Sequence, residues 1–259
     1  MNLRNCALAF TIILAGCNRD DGIARKAIID GTAIDAKTRT EHSVLVVAGE
    51  RILTASTTAD KAIPASAERY DGRNRFVIPA FVKEPEDWPE TPLTTYQEID
   101  TRVNVEGANL VFGIVEDRVI EEYRWFDSMR QKAVVFIPRM SRLEPGSESF
   151  RIASQNLVKL AESDVSIAAL APRENPSDIF REFEALALAG MTPEQVLHAA
   201  TLNASLALRQ DDFGLLLRDK RASLLVLSAN PIEDVANLRK IDRVMVNGNW
   251  ADNARPFVN

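Results

Sequence analysis

The most constraining feature of this sequence is a fully signalled helix near its carboxyl end. Thr192 can cap the helix, Pro193 suits the first helical position, and Gln195 stands at the spacing of a capping box. Apolar residues then recur at helical spacing from Val196 to Ala207. The pattern predicts a helix over 192–208 with one apolar face, ending before the break at 211–212.

Strand signals follow this helix to the end of the chain. The apolar run 222–227 predicts a buried strand, and Asn230-Pro231 predicts a short turn. A last strand over 243–246 leads into the hairpin signal Asn247-Gly248. The stretch 190–250 therefore reads as one helix followed by a strand pair.

This order of elements resembles the carboxyl-terminal part of the metal-dependent amidohydrolase superfamily, in its imidazolonepropionase-like and prolidase-like branch. The matching residues are Met191-Thr192-Pro193, Ala199-Ala200-Thr201, Asn203, Leu208, Gly214, Lys220, Ala222, Leu224 to Leu227, Asn230-Pro231 and Asp234. The chain departs from the pattern at Asp219, where the family favours Gly, and at Ser223, where it favours Asp. Because these residues are structural in the family, the resemblance implies the fold and not the chemistry.

The first residues have the pattern of a bacterial lipoprotein signal peptide over 1–17. Arg4 supplies the positive region, 6–15 is apolar, and small residues precede Cys17. Cleavage there would leave Cys17 as the lipidated terminus, followed by a polar tether over 18–26. The alternative is an ordinary secretory signal in which Cys17 is incidental. We expect a domain anchored in the bacterial cell envelope outside the cytoplasm, at the periplasmic face of the outer membrane because Asn18 gives no retention signal.

The charge and cysteine content of the chain limit which partners and which chemistry are expected. The net charge is −6, and both signs are scattered along the chain without a basic stripe, which argues against nucleic acid. The chain has two cysteines. Cys6 would leave with the signal peptide and Cys17 would be acylated, so we expect no disulfide and no thiol nucleophile.

Short strands separated by turns are predicted over residues 27–79. The resemblance implies that they join the carboxyl-terminal strands in a small β-sandwich. Residues 27–79 and 213–250 would then form one domain that is discontinuous in sequence.

Residues 80–212 should contain the barrel of the family. Buried strands are predicted at 109–115, 133–137 and 165–171, alternating with helices at 96–105, 118–130 and 147–163 and with a helix capped by Ser177. A complete (β/α)8 barrel needs eight strands and typically about 250 residues. The expected fold is therefore α/β plus β, with a shortened barrel remnant of about three parallel strands. Its open edges must be covered, either by the Pro-rich segment 84–93 or by a second copy or another protein partner.

The family places an H-x-H pair of metal ligands just after the first barrel strand, and its site holds zinc or another divalent metal. Read without gaps, Pro85 and Asp87 occupy those two positions, and Pro85 has no side-chain donor. The last predicted strand ends at 169–172 without the carboxylate of the family. These departures predict no metal ligand, no catalytic residue and no cofactor.

Two histidines remain in the whole chain. We expect His42 to be exposed beside a turn, and His198 to pair with Glu194 one turn away on a solvated helix face. A catalytic zinc typically needs about three protein ligands, which these two elements cannot supply together.

One sequence feature favours a metal site of another kind, with oxygen ligands. The segment 83–90 packs four carboxylates next to the expected H-x-H position, and oxygen ligands suit Mg²⁺ or Ca²⁺. Its prolines and charges equally fit a solvated loop. Neither a G-x-S-x-G motif nor a Gly-rich phosphate loop is present.

Three hypotheses follow for the function. The first is a lipid-anchored amidohydrolase-like pseudoenzyme without its metal centre, retained as a binding or structural module. The second is a hydrolase of carbon–nitrogen bonds other than peptide bonds that uses the carboxylate loop or ligands from a partner. The third is a relic that folds poorly.

Overall fold

The computed structural model describes residues 23–57, 63–89, 91–251 and 256–258. The predicted signal peptide with Cys17 lies outside these residues, as does the tether up to residue 22. The first strand begins at Arg25, so the last two residues of the predicted tether belong to a sheet. Within the described ranges, every helix is too short or too polar to cross a bilayer.

Among the described residues, six strands come first, strands and helices then alternate in the middle of the chain, and four strands follow the last α-helix. The strands are β1 (Arg25–Ile34), β2 (Arg39–Ala48), β3 (Arg51–Thr57), β4 (Glu68–Asp71), β5 (Phe76–Pro79), β6 (Phe81–Val82), β7 (Leu110–Phe112), β8 (Val135–Ile137), β9 (Ser166–Ile167), β10 (Leu224–Leu227), β11 (Ile241–Val246), β12 (Asn249–Trp250) and β13 (Phe257–Val258). The α-helices are α1 (Tyr96–Asp100), α2 (Tyr123–Gln131), α3 (Glu148–Glu162), α4 (Ile179–Leu188), α5 (Pro193–His198) and α6 (Ala204–Ala207).

The larger sheet is assembled from both ends of the chain. Its order is β12-β11-β10-β5-β1-β2-β3, with β4 paired to β1. The two halves meet where β5 and β10 run antiparallel, with Ile78 opposite Leu225. At β3, the other end of the strand order, Arg51 forms an isolated antiparallel β-bridge with Arg221. Beside it, the Ile52 N–H donates to the Lys220 carbonyl at 2.9 Å. The strands predicted to form the sandwich therefore share one continuous sheet that curls over its own apolar core.

The smaller sheet contains the three predicted barrel strands. β7, β8 and β9 are parallel neighbours, with Leu110 opposite Val135 and Val135 opposite Ser166. Their existence and order along the chain agree with the prediction, although each strand is shorter. Parallel bridges continue the pairing on both sides, from Ala171 to Lys83 after β6 and from Gly113 to Leu93. The described residues form mixed sheets and no closed barrel.

The strap, residues 84–93, pairs through Leu93 with the carboxyl end of the outer edge of β7. The Leu93 N–H donates to the Phe112 carbonyl at 2.8 Å, and the Ile114 N–H donates to the Leu93 carbonyl at 3.1 Å. The predicted segment 84–93 therefore covers this end of the edge, and among the described residues the N–H and C=O of Leu110 have no strand partner on that side. The strap connects the end of β6 directly to the edge of β7.

Most predicted helices are present. Thr192 and Gln195 form the expected capping box, with the Gln195 N–H donating to the Thr192 hydroxyl at 3.2 Å and the Thr192 N–H donating to the Gln195 side chain at 2.8 Å. The helix then continues from α5 through a π turn into α6. Ser147 caps α3 as expected, accepting from the Phe150 N–H at 3.1 Å.

Two helix starts were predicted wrongly. α2 begins at Tyr123 and not at Arg118, because the buried Asn156 side chain accepts from the Ile120 N–H and donates to the Arg118 carbonyl, each at 2.9 Å. These bonds use backbone groups that a helix would need. Ser177 does not cap α4, since it lies inside the 3₁₀ turn Pro176–Asp178 and α4 begins at Ile179.

One apolar core joins the parallel sheet to its helices. Phe81 of β6 is buried between two rings of α4, with centroid distances of 6.0 Å to Phe180 and 5.1 Å to Phe183. Because β6 follows β5 after a single residue, this contact fixes the curled sheet against the parallel sheet. It also sets the position of the strap, which starts two residues after β6.

Candidate functional site at the strand ends

The carboxyl ends of the parallel segments converge on a pocket of about 350 Å³. We call it the mouth pocket, and its walls include Glu84, Phe112, Arg139, Arg173 and Asp178. Each of the first four residues lies at or just beyond the end of a parallel segment. Ligands of parallel α/β folds bind at this end of the strands, so the mouth pocket is the candidate functional site.

An ion pair between Arg139 and Glu84 dominates the mouth pocket. Both side chains are largely buried, at 14% and 9% exposure, and the guanidinium donates to the carboxylate. The Arg139 guanidinium also lies over the Phe112 ring, 5.3 Å from its centroid. Burial lowers the pKa of Arg139, opposed by the charges of Glu182 and Asp178, yet an arginine stays protonated at any physiological pH. The negative charge of Glu84 is therefore neutralised within the protein.

A second buried carboxylate, that of Glu182, holds the backbone next to Arg139 in place. Glu182 of α4 is 1% exposed and accepts from the N–H groups of Met140 and Ser141, each at 2.9 Å. Burial raises the pKa of the Glu182 carboxyl, and these two hydrogen bonds oppose the rise. Glu182 fixes the turn immediately after Arg139 and so helps to orient its side chain.

Two further arginines line the mouth pocket. Arg142 pairs with Glu116 at 2.8 Å, and the Arg173 guanidinium donates to the Glu86 carbonyl. The sequence pattern did not single out four residues of this site, Arg139, Arg142, Arg173 and Glu182. A signal existed for two of them, because Arg139 and Arg173 each follow a Pro directly after a predicted strand.

The degenerate H-x-H positions lie on the strap at the rim of this pocket. Pro85 is half-buried, and Asp87 is exposed beside the exposed Glu86. Of the carboxylates predicted at 83–90, Glu84 turns inward to Arg139, and Glu90 lies outside the described residues. The strap is thus neither a carboxylate cluster nor wholly solvated.

The two histidines lie on different elements, away from this pocket's walls. His42 is 76% exposed, and its Nδ1 lies 2.6 Å from Asp30 Oδ1; this hydrogen bond and the charge of Asp30 raise the pKa of His42. It lies within β2 and not beside a turn, in a left-handed conformation opposite an irregular stretch of β1. His198 ends α5, and the predicted ion pair with Glu194 is not among the salt bridges of the described residues.

The donor chemistry of the mouth pocket does not fit a divalent cation. Among the described residues, no three His, Cys, Asp or Glu side chains are grouped so that they could hold a metal. The oxygens of Glu84 are engaged by Arg139, and two more guanidinium groups face the same space. A metal ion would have to displace Arg139 to reach Glu84, and the other two carboxylates of the lining, Glu174 and Asp178, share the pocket with Arg142 and Arg173.

A family model described as "Amidohydrolase family" matches residues 140–251. This range contains β9, the capped helix and the carboxyl-terminal strands. Over residues 140–251, which are less than half of the chain, the sequence is similar to the amidohydrolase family. This match confirms the resemblance predicted from Met191-Thr192-Pro193 and the residues that follow, and it supports a hydrolase-like function.

Solved structures of amidohydrolase-fold proteins are similar over most of the chain. Molinate hydrolase has a TM-score of 0.68 at 11% identity, covering 89% of this chain and 95% of that chain. A Xaa-Pro dipeptidase with bound methionine in the active site has a TM-score of 0.62 at 12% identity, covering 89% and 100%. The ochratoxinase of A. niger has a TM-score of 0.63 at 12% identity, covering 90% and 97%. At these identities the likeness is one of fold, and no curated protein sequence matches significantly.

Proposed function

We propose that this amidohydrolase-like chain has lost its metal centre and persists as a binding or structural module. The observation that carries the proposal is the ion pair between Arg139 and Glu84. It lies at the strand ends, next to the two positions, Pro85 and Asp87, where the family pattern has histidines. A scaffold that holds a guanidinium at this place favours an anion or a neutral group over a metal cation.

We also propose that the parallel segments are what remains of a larger barrel. The segments around Gly113, β8, Ala171 and β6 would be the remaining part of a (β/α)8 barrel. The strap would replace the absent strands by spanning directly from β6 to β7. Its pairing through Leu93 supports this view, since it supplies β7 with an outer neighbour.

Metal content provides the sharpest test of the proposed function. We expect protein purified without added metal ions to contain far less than one divalent ion per chain by elemental analysis. We also expect no turnover of amides or lactams above background, with or without a chelator. Tightly bound stoichiometric zinc would contradict the proposal directly.

The competing function is a residual hydrolase of carbon–nitrogen bonds that uses the carboxylate loop or ligands from a partner chain. It predicts turnover that depends on added Mg²⁺ or another divalent ion and disappears with chelator. Under that hypothesis the Glu86→Ala and Asp87→Ala variants would lose activity, because these exposed carboxylates would carry the ion. The first hypothesis predicts no effect from either substitution.

We further propose that Cys17 is lipidated and anchors the mature domain in the cell envelope. More than one acyl chain gives stable attachment, whereas one gives only marginal binding. We expect the bacterially expressed full chain to incorporate radioactive palmitate and to sediment with membranes, and the Cys17→Ala variant to do neither. A Cys6→Ala variant serves as the matched control and should behave as wild type. Palmitate incorporation that survives Cys17→Ala would contradict the anchor.

A further inference from the structure

A second, larger cavity runs along the outer edge of β7. Its volume is about 720 Å³, and we call it the edge groove. Partly buried apolar side chains form much of its wall: Trp88, Leu93, Ala108, Leu110 and Phe112. Because Ala108 precedes β7 and Phe112 is its last residue, the groove follows the strand along its length.

The hydrogen-bond pattern of β7 leaves backbone groups facing this groove. Toward β8, the Asn109 carbonyl accepts from the Val135 N–H and the Gly113 N–H donates to the Ile137 carbonyl, each at 3.0 Å. In a parallel ladder the backbone N–H and C=O groups of the alternate residues, Leu110 and Phe112, then point to the other edge of β7. The strap takes only the Phe112 carbonyl there. For the N–H and C=O of Leu110 and the N–H of Phe112, the described residues provide no partner.

The strap shows what kind of group fits beside β7. Leu93 lies in this position as extended chain, paired in parallel with Gly113 and bonded on both sides. The edge groove extends from Leu93 along the same side of β7 toward Ala108. A segment of about five residues at ~3.3 Å per residue would span it.

The rim of the groove carries one cation and two carboxylates. Arg102 pairs with Glu106 at 2.6 Å. The Glu98 carboxylate accepts from the Thr95 hydroxyl at 2.8 Å and from the Thr94 and Thr95 N–H groups. The rim therefore carries one net negative charge, that of Glu98, beside a mostly apolar wall, so it disfavours an acidic segment and suits an uncharged, apolar one.

We propose that the edge groove binds an extended, uncharged peptide segment of a partner protein, which adds to the outer edge of β7 as a strand. Its backbone would pair with Leu110 and with the Phe112 N–H, and alternate apolar side chains would pack on Trp88 and Phe112. This is recognition by strand addition, in which main-chain bonds give affinity and side-chain pockets give specificity. The edge groove shares Pro89 and Phe112 with the mouth pocket, but its other lining residues differ, and the proposal holds whether or not that pocket retains activity.

The test uses a pool of acetylated and amidated hexapeptides. Val, Ile, Leu and Phe are randomised at alternate positions, with Thr at the others. We expect saturable binding that changes the fluorescence of Trp88 in the purified protein, and no such change in Trp88→Phe. A pool N-methylated at every internal amide should bind at least about ten-fold more weakly, because it cannot donate to the strand edge.

Ala108→Phe tests the location, because a larger side chain fills the groove. It should abolish peptide binding while the thermal midpoint stays near that of wild type. Absence of binding by the first pool would overturn the proposal, as would binding that survives both N-methylation and Ala108→Phe. Self-association of the wild-type domain that Ala108→Phe abolishes would also overturn it, since a second copy would then be the occupant.

Discussion

Replacing Gly113 by Ala is expected to destabilise the domain by about 3 kcal/mol or more, since it combines backbone strain with a steric clash. Gly113 has a φ of 135°, which residues with a Cβ rarely adopt. A Cβ built there would lie 1.9 Å from the Leu93 carbonyl oxygen and 2.7 Å from its nitrogen. The strap would have to leave the edge of β7, so the two bonds between Leu93 and its neighbours would be lost.

Two other glycines separate strain from steric clash. Gly107 and Gly146 have φ values of 75° and 86°, and a Cβ at either one would meet nothing within 4 Å. Their Ala variants should cost only about 1–2 kcal/mol, the strain alone. Urea unfolding would give the free energies, and hydrogen exchange would show loss of protection at the Leu93 and Ile114 amides in Gly113→Ala only. A Gly113→Ala domain as stable as Gly107→Ala would show that the strap does not pair with β7. Cooperative unfolding of the wild type would at the same time argue against a poorly folding relic.

Removing the Glu84 carboxylate is expected to produce the second large effect. Glu84→Ala would leave the buried guanidinium of Arg139 without its partner, and breaking a buried pair from one side typically costs about 3–5 kcal/mol. The charges of Glu182 and Asp178 oppose the lowering of the Arg139 pKa by burial. Because these carboxylates still stabilise the charged guanidinium, we expect a loss in the lower part of this range. The midpoint of chemical unfolding at pH 7 measures the effect.

Matched variants distinguish pairing from simple truncation. Glu86→Ala changes an exposed carboxylate on the same strap and should alter stability by less than about 0.5 kcal/mol. The double variant Glu84→Leu with Arg139→Met replaces the pair by apolar side chains and should recover most of the loss, because neither charge is then buried alone. If Glu84→Ala and Glu86→Ala were equally mild, the ion pair would not contribute to holding the strap.

The parts of the fold that follow local pattern could be predicted from the sequence. The parallel strands are short runs of apolar residues, and the capping box at Thr192 and Gln195 depends on residues only three positions apart. The covering of β7 by the strap was reached as one of two alternatives, from the general cost of an open edge. Local spacing does not specify which residue of the strap, Leu93, would make the pairing.

The site was less predictable because its contacts join residues distant in sequence. Arg139 and Glu84 are 55 positions apart, and Glu182 meets the Met140 amide 42 positions away. Glu182 occupies an inward position among the apolar residues of α4, which a periodicity argument treats as core. The start of α2 was misplaced for the same reason, since the side chain that prevents helix at Ile120 comes from Asn156 on α3.

The antiparallel pairing of β5 with β10 has a consequence for biosynthesis. Because Ile78 faces Leu225, the amino-terminal strands must wait for their neighbour until most of the polypeptide has left the ribosome. Val77 and Ile78, both fully buried in the finished protein, are exposed to solvent and to other nascent chains during that interval. Unpaired apolar strands of this kind are prone to aggregate, and such long-range pairing is slow to form. Yield in the cell should therefore depend on how well a holding chaperone protects the unfinished polypeptide.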